Sequence, residues 1–182
     1  ATPKLGAVGA CLLTPEGTEQ RPSIPFWGRS KHRKGQPVPI GWLPGACLLL
    51  KREALDRIGW LDEGFFFYNE DLDLGLRLRK AGFRLRYLPA AQVVHHEGKS
   101  SDLVRPMAIL EGYRGGLRLT AKHYGSLALA GARWGMKLER FWRDANIERK
   151  QKRGLPLTGK ETAWQTISQE VGTLLREYRY NG

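Results

Sequence analysis

Asn69-Glu70-Asp71-Leu72-Asp73-Leu74-Gly75-Leu76-Arg77-Leu78-Arg79-Lys80-Ala81-Gly82 supports two readings, and the choice decides the fold. Leu72, Leu74, Leu76 and Leu78 alternate, which is the period of a strand. The ends speak for a helix. Asn69-Glu70-Asp71 supplies a capping residue and acids for a first turn, Arg77, Arg79 and Lys80 supply cations for a last turn, and Gly82 follows as a stop. The stretch is read as a helix buried on two sides.

Strand signals lie on either side of that helix. Leu5 to Leu13 and Trp42 to Leu50 are apolar runs bounded by turn residues and read as buried strands. Phe83 to Leu88 and Gln92 to His95 read as two short strands around Pro89. Lys51 to Ile58 is a short helix stopped by Gly59. Residues 21–40, with four prolines and several cations, read as a mobile basic loop. From about residue 105 apolar residues recur at helical spacing, and a last amphipathic helix is expected from about Lys160 to Tyr178. Early alternation of strands and helices followed by helices alone predicts an α/β core with a helical appendage. The expected divisions are 1–102, a stretch of basic amphipathic helices over 103–148, and a basic link with the C-terminal helix over 149–182.

Thirty Lys and Arg against eighteen Asp and Glu give a net charge of +12, which favours polyanionic partners. Cys11 and Cys47 each sit in an apolar run and read as buried free thiols, which suits a reducing compartment. No apolar run reaches the roughly 18 residues of a membrane span. Ala1-Thr2-Pro3-Lys4 shows no signal-peptide pattern and no starting Met, so the chain is expected to begin inside a longer protein.

Four pieces in order carry the most information: Gly41-Trp42-Leu43-Pro44-Gly45-Ala46-Cys47-Leu48-Leu49; Gly59-Trp60-Leu61-Asp62-Glu63-Gly64-Phe65-Phe66; Tyr68-Asn69-Glu70-Asp71-Leu72-Asp73-Leu74; and Val93-Val94-His95-His96-Glu97-Gly98-Lys99-Ser100-Ser101. In that register they resemble the second half of family 2 glycosyltransferases, especially bacterial rhamnosyltransferase-like members. The resemblance runs from about residue 5 to 102 and implies an incomplete GT-A (Rossmann-like) half with mixed short strands. It implies transfer of a sugar from a nucleotide-sugar donor to a hydroxyl of a glycan or lipid-linked acceptor, in polysaccharide or cell-wall biosynthesis.

The resemblance also assigns roles. Glu70 and Asp71 match the family's Glu-Asp motif, with Asp71 the base that takes the proton of the attacking hydroxyl in an inverting displacement. The aromatic run before them supplies apolar walls that can raise the proton affinity of Asp71. As residues alone, the same acids can simply cap a helix. His95, with His96 as the fallback, matches a position that in some relatives helps hold a divalent Mg or Mn ion; a hydrogen-bonded structural pair is the other reading. Lys99 and Ser100 suit phosphate oxygens, or form a polar turn. Gly45 and Ala46 fall beside acceptor and sugar, and Trp42 and Trp60 can stack on sugar faces or pack in a core. No Gly-rich phosphate loop follows a strand, and the only Asp-x-Asp, Asp71-Leu72-Asp73, sits on the acceptor side. The N-terminal nucleotide-binding half is therefore expected to be missing, and the chain alone to be a poor or inactive catalyst.

Trp134, Leu138, Phe141 and Trp142, flanked by Arg133, Lys137, Arg140 and Arg143, fit a helix lying in a membrane surface. That predicts an anionic membrane partner and a cytoplasmic, peripheral place at the inner face of the plasma membrane. A helix packed on the catalytic domain with a solvated basic face fits the same pattern. No recognised nucleic-acid module is present, so nucleic acid is not an expected partner. The alternative is a non-catalytic basic module that uses its charge on membrane or nucleic acid.

Overall fold

The computed structural model describes residues 4–20, 38–96 and 104–180. Lys99 and Ser100, and residues 21–37 of the basic loop expected over 21–40, lie outside the described residues; the last three residues of that expected loop, Val38–Ile40, are instead a paired strand. The chain forms two compact units, one of residues 1–63 with 70–98 and one of 64–69 with 99–182.

The first unit is mixed α/β, as expected, and consistent with part of a Rossmann-like GT-A fold. Its strands are β1 (Leu5–Leu13), β2 (Val38–Ile40), β3 (Leu48–Leu50) and β4 (Arg84–Val94), and its helices are α1 (Arg52–Ile58) and α2 (Glu70–Lys80). The sheet order is β2-β4-β1-β3. β1 runs parallel to β4 and antiparallel to β3, and β2 runs antiparallel to β4.

The helical reading of 69–82 holds, and its ends explain why. Gly82 takes φ 85°, which an L side chain avoids. Its N–H donates to Arg79 O and the Phe83 N–H to Leu78 O, both at 3.0 Å, which is a Schellman closure. Leu74 and Leu78 are buried and Leu72 and Leu76 half-buried, so the alternating leucines wrap a helix that is largely enclosed. Ala7, Leu43, Ala54, Leu55, Leu74, Leu78, Phe83 and Leu85 form one core between sheet and helices. Gly9 on β1 lets Leu43 approach, since a Cβ there would stand 2.5 Å from Leu43 Cδ2.

Three local readings change. The run 42–50 is not one buried strand. Only Leu48–Leu50 pairs, at the sheet edge, and Leu49 is 74% exposed, because Pro44-Gly45 turns the chain toward α2 first. The two strands around Pro89 are a single strand, β4. Its pairing with β1 skips from Leu88 to Gln92, so a bulge takes up the residue that cannot donate. Cys11 is buried, but Cys47, in the same turn region, is only half-buried.

The second unit is helical. α3 (Arg105–Lys152) breaks at Gly125 (φ 82°, ψ −175°), and α4 (Gly159–Glu177) packs along it. The helix continues through 149–152, where a basic link was expected. Tyr113, Leu117, Ile147, Trp164, Ile167, Val171 and Leu175 form its core. Thr158 and Glu161 close a reciprocal capping box at the start of α4.

Of the flanking cations of α3, Arg133 and Arg140 turn to α4, while Lys137 stays exposed. Arg133 donates to Leu175 O, Arg176 O and Tyr178 O at 3.1–3.2 Å, tying down the C-terminal carbonyls of α4. Arg140 donates to Ser168 O at 2.8 Å, and Arg143 pairs with Glu139 and lies 4.9 Å over the Trp164 ring. Their helical spacing places them next to α4, and carbonyl ends there need donors.

Candidate active site

The N-terminus of α2 meets the turn after Trp42. The Gly45 N–H donates to Asp71 Oδ2 at 2.9 Å, and the Leu72 N–H donates to Asp71 Oδ1 at 2.7 Å. Both carboxylate oxygens are therefore held, one by the loop and one by the first turn of the helix. A cavity of about 270 Å³ opens beside them, lined by Gly45, Trp60, Leu61, Glu70, Asp71 and the leucines at 48, 50, 55 and 74. It is a small, mostly apolar cleft with carboxylates at one wall, the form of a ligand site.

That setting acts on the acids. Burial pushes the Asp71 carboxyl above its ordinary range, and the N–H groups of Gly45 and Leu72 oppose the rise. The Trp42 indole N–H opposes it too, although it lies buried short of hydrogen-bond geometry with any acceptor. Glu70 is also raised, chiefly by burial and further by the Asp71 charge, and its Oε2 is buried without a hydrogen-bond partner. A carboxylate whose proton affinity is raised is a better base than one in water.

Asp73, two residues on, does a different job. It is 0% exposed and accepts from Arg77 Nε at 2.7 Å. Arg77 Nη1 also donates to Ile58 O and Gly59 O, at 3.0 and 3.1 Å. The pair fastens α2 to the end of α1, and sequence reading, which grouped Asp73 with the other acids, missed it. The i,i+4 spacing of Asp73 and Arg77 was the available signal.

The remaining expected residues divide. Gly45 and Trp60 line the cleft with Glu70 and Asp71. Trp60 is 62% exposed and lies under Arg52 at 5.3 Å, so it is not a core residue. A Cβ on Gly45 would meet Asp71 Cβ at 3.5 Å, an ordinary contact; its contribution is the N–H rather than its small size. Ala46 is exposed and Trp42 half-buried, and neither lines the cleft.

His95 and His96 do not line it either. His95 sits past the end of β4, where its N–H donates to Leu13 O at 2.8 Å. Gln20 Nε2 donates to His95 O at 2.6 Å, which turns Gln20 Oε1 toward the ring, 2.8 Å from Nδ1. The Nδ1 proton thus faces Gln20, and the lone pair is left on Nε2. His96 is exposed. Among the described residues no three His, Cys, Asp or Glu side chains converge.

Two consecutive non-glycine residues with positive φ, Tyr68 (65°) and Asn69 (70°), lead directly into α2. Left-handed backbone costs about 1 kcal/mol or more per residue and collects at functional turns. Asn69 Nδ2 donates to Gly112 O at 3.3 Å, a contact that helps hold the turn.

The chain is similar to several curated proteins, two of them rhamnosyltransferases. It is 38% identical over 122 residues to the N-acetylglucosaminyl-diphospho-decaprenol L-rhamnosyltransferase of Mycobacterium tuberculosis, covering 54% of this chain and 40% of that one. It is 40% identical over 57 residues to the rhamnosyltransferase WbbL of Escherichia coli, covering 31% and 22%. It is 34% identical over 115 residues to the O-antigen biosynthesis protein RfbC of Myxococcus xanthus, covering 54% and 9%. The chain thus spans well under half the length of these relatives. No solved structure matches it significantly. Residues 26–150 match the model of the Glycosyl transferase family group 2, and the chain belongs to that family.

Proposed function

We propose that this chain is the acceptor side of a rhamnosyl- or hexosyltransferase that takes a sugar from a nucleotide-sugar donor and places it on a hydroxyl of a lipid-linked or glycan acceptor. One observation carries the reading. Asp71 stands at the wall of an apolar cleft, with its proton affinity raised by burial and its orientation fixed by the Gly45 N–H. In the proposed reaction Asp71 removes the proton of the acceptor hydroxyl. The oxygen attacks the anomeric carbon from the face opposite the leaving nucleoside diphosphate, and the configuration inverts. Trp60, exposed at the cleft, offers a ring face to a sugar.

The name of the Mycobacterium tuberculosis relative favours an N-acetylglucosaminyl-diphospho-lipid acceptor and a rhamnosyl donor. The donor-binding half is proposed to be supplied outside these residues, so the isolated chain should turn over poorly. A divalent Mg or Mn ion would neutralise the departing diphosphate. The Nε2 lone pair of His95 is open to such an ion, and no step is assigned to it.

The test is Asp71→Asn in the complete gene product that contains residues 1–182, assayed by transfer of labelled rhamnose to a polyprenyl diphosphate-GlcNAc acceptor. Turnover should fall by about 10²–10⁴-fold, the usual contribution of a positioned base, while donor binding is kept. In the wild type the rate should fall as pH drops, and at a higher pH than an ordinary Asp would give. Undiminished turnover by the Asn variant would remove Asp71 from the role of base.

A further inference from the structure

The half of α3 that follows Gly125 has two apolar faces. One packs on α4 through Leu129, Met136 and Ile147. The other carries Leu127, Trp134, Leu138 and Phe141, successively seven, four and three residues apart, with Trp142 next to Phe141, and nothing among the described residues covers it. Leu127 is 87% exposed, Trp134 69%, Phe141 63% and Trp142 60%. A helix that needed only α4 would be polar on this side.

The charge around the stripe says what it meets. Residues 104–180 hold fifteen Lys and Arg against seven Asp and Glu. Arg133 and Arg140 are committed to α4, so they take no part. Lys137 and Arg149 are exposed, and neither has an acidic partner among the described residues. Lys137 lies one turn from both Trp134 and Phe141, on one flank of the stripe. Arg149 lies seven residues, two turns, past Trp142 and so continues the line of the stripe at its C-terminal end. Indole rings beside an apolar stripe, with long cations reaching outward at one flank and at its C-terminal end, match the layering of acyl chain, interface and anionic headgroup. Among the described residues no helix is long and apolar enough to cross a membrane, so the contact is in-plane.

We infer that the face of α3 formed by Leu127, Trp134, Leu138, Phe141 and Trp142 docks onto an anionic lipid surface, with Lys137 and Arg149 at the headgroups. The inference is independent of the transfer chemistry, and its test needs no turnover. The intact chain is mixed with vesicles of phosphatidylcholine alone or with about a third phosphatidylglycerol, and binding is read by co-sedimentation and by quenching of tryptophan with brominated lipid. Binding should be stronger on the anionic vesicles, with quenching. Trp134→Gln with Phe141→Gln should weaken it at least tenfold. Lys137→Gln with Arg149→Gln should weaken only the anionic preference, by about fivefold for each cation. These side chains are exposed, so circular dichroism and melting should stay as in the wild type. Equal binding to both vesicle types, or binding that survives loss of both aromatic rings, overturns the inference. So does a self-associated chain that becomes monomeric in the aromatic variant and never binds vesicles, since a second copy would then own the face.

Discussion

Replacing Arg77 with Met should loosen α2, and the size of the effect follows from what the guanidinium holds. Asp73 is 0% exposed, and Arg77 Nε lies 2.7 Å from its carboxylate. The same guanidinium serves two carbonyls at the end of α1. Methionine keeps the apolar stem but leaves a buried carboxylate without its cation. Breaking a buried pair from one side costs about 3–5 kcal/mol. Asp73 keeps other contacts, which places the expected loss near the low end, about 3 kcal/mol. That is a large share of a typical domain's stability. Hydrogen exchange of the peptide covering 70–80 reads the change directly: about 3 kcal/mol speeds opening by about 150-fold. The peptide covering α4, in the other unit, serves as the internal reference and should not change. Arg77→Lys keeps the charge without the fork and should fall about halfway. Asp73→Asn combined with Arg77→Met should exchange more slowly than Arg77→Met alone, because no buried charge remains. If Arg77→Met exchanges within fivefold of wild type, or the double variant is the sum of its parts, the pair is not what fastens α2.

Other outcomes follow from the same geometry. Because burial raises the folded-state proton affinity of Asp71, ionising it opposes folding, and the penalty is complete above the folded pKa and absent below the unfolded value of about 3.9. Asp71→Asn should therefore be more stable than wild type in urea titrations at pH 7.5, with the difference shrinking toward pH 4. Gly9→Ala puts a methyl 2.5 Å from Leu43 and should cost about 1–3 kcal/mol in denaturant midpoint. Trp164→Ala empties a site that is 1% exposed and strips Asp144 of a 2.7 Å donor, for about 3–5 kcal/mol in thermal or chemical unfolding. Thr158→Ala opens the capping box of α4 and should cost about 1 kcal/mol. The Glu161 carboxyl in that box is held down to about 2, first by Lys150 and then by Thr158. Its contribution is present above the unfolded value of about 4.3 and is lost as pH falls toward 2, so the gap between wild type and Thr158→Ala should narrow in acid to what the Glu161 N–H bond to Thr158 Oγ1 contributes.

What the sequence determined by itself was local. Gly82 and the acids and cations at the two ends made 70–80 a helix despite its alternating leucines, because end groups and the φ of a stop residue act within one or two turns. The same short-range chemistry marked β1, α1 and α4. The four pieces in register marked the family, and Asp71 within them. Only tertiary structure could decide which neighbours those residues meet across long loops. It split three acids of one helical turn into a cleft wall at Glu70 and Asp71 and a buried clamp at Asp73, because α1 brings two carbonyls to Arg77 and the Gly45 turn brings an N–H to Asp71. It turned Arg133 and Arg140 inward onto α4, where helical spacing alone allowed them to face water. It also stopped the strand expected over 42–50 at its last three residues, since pairing depends on where β1 lies and not on how apolar the run is. Solvation, charge pairing and strand pairing are settled by distances between segments, and a sequence does not carry those distances.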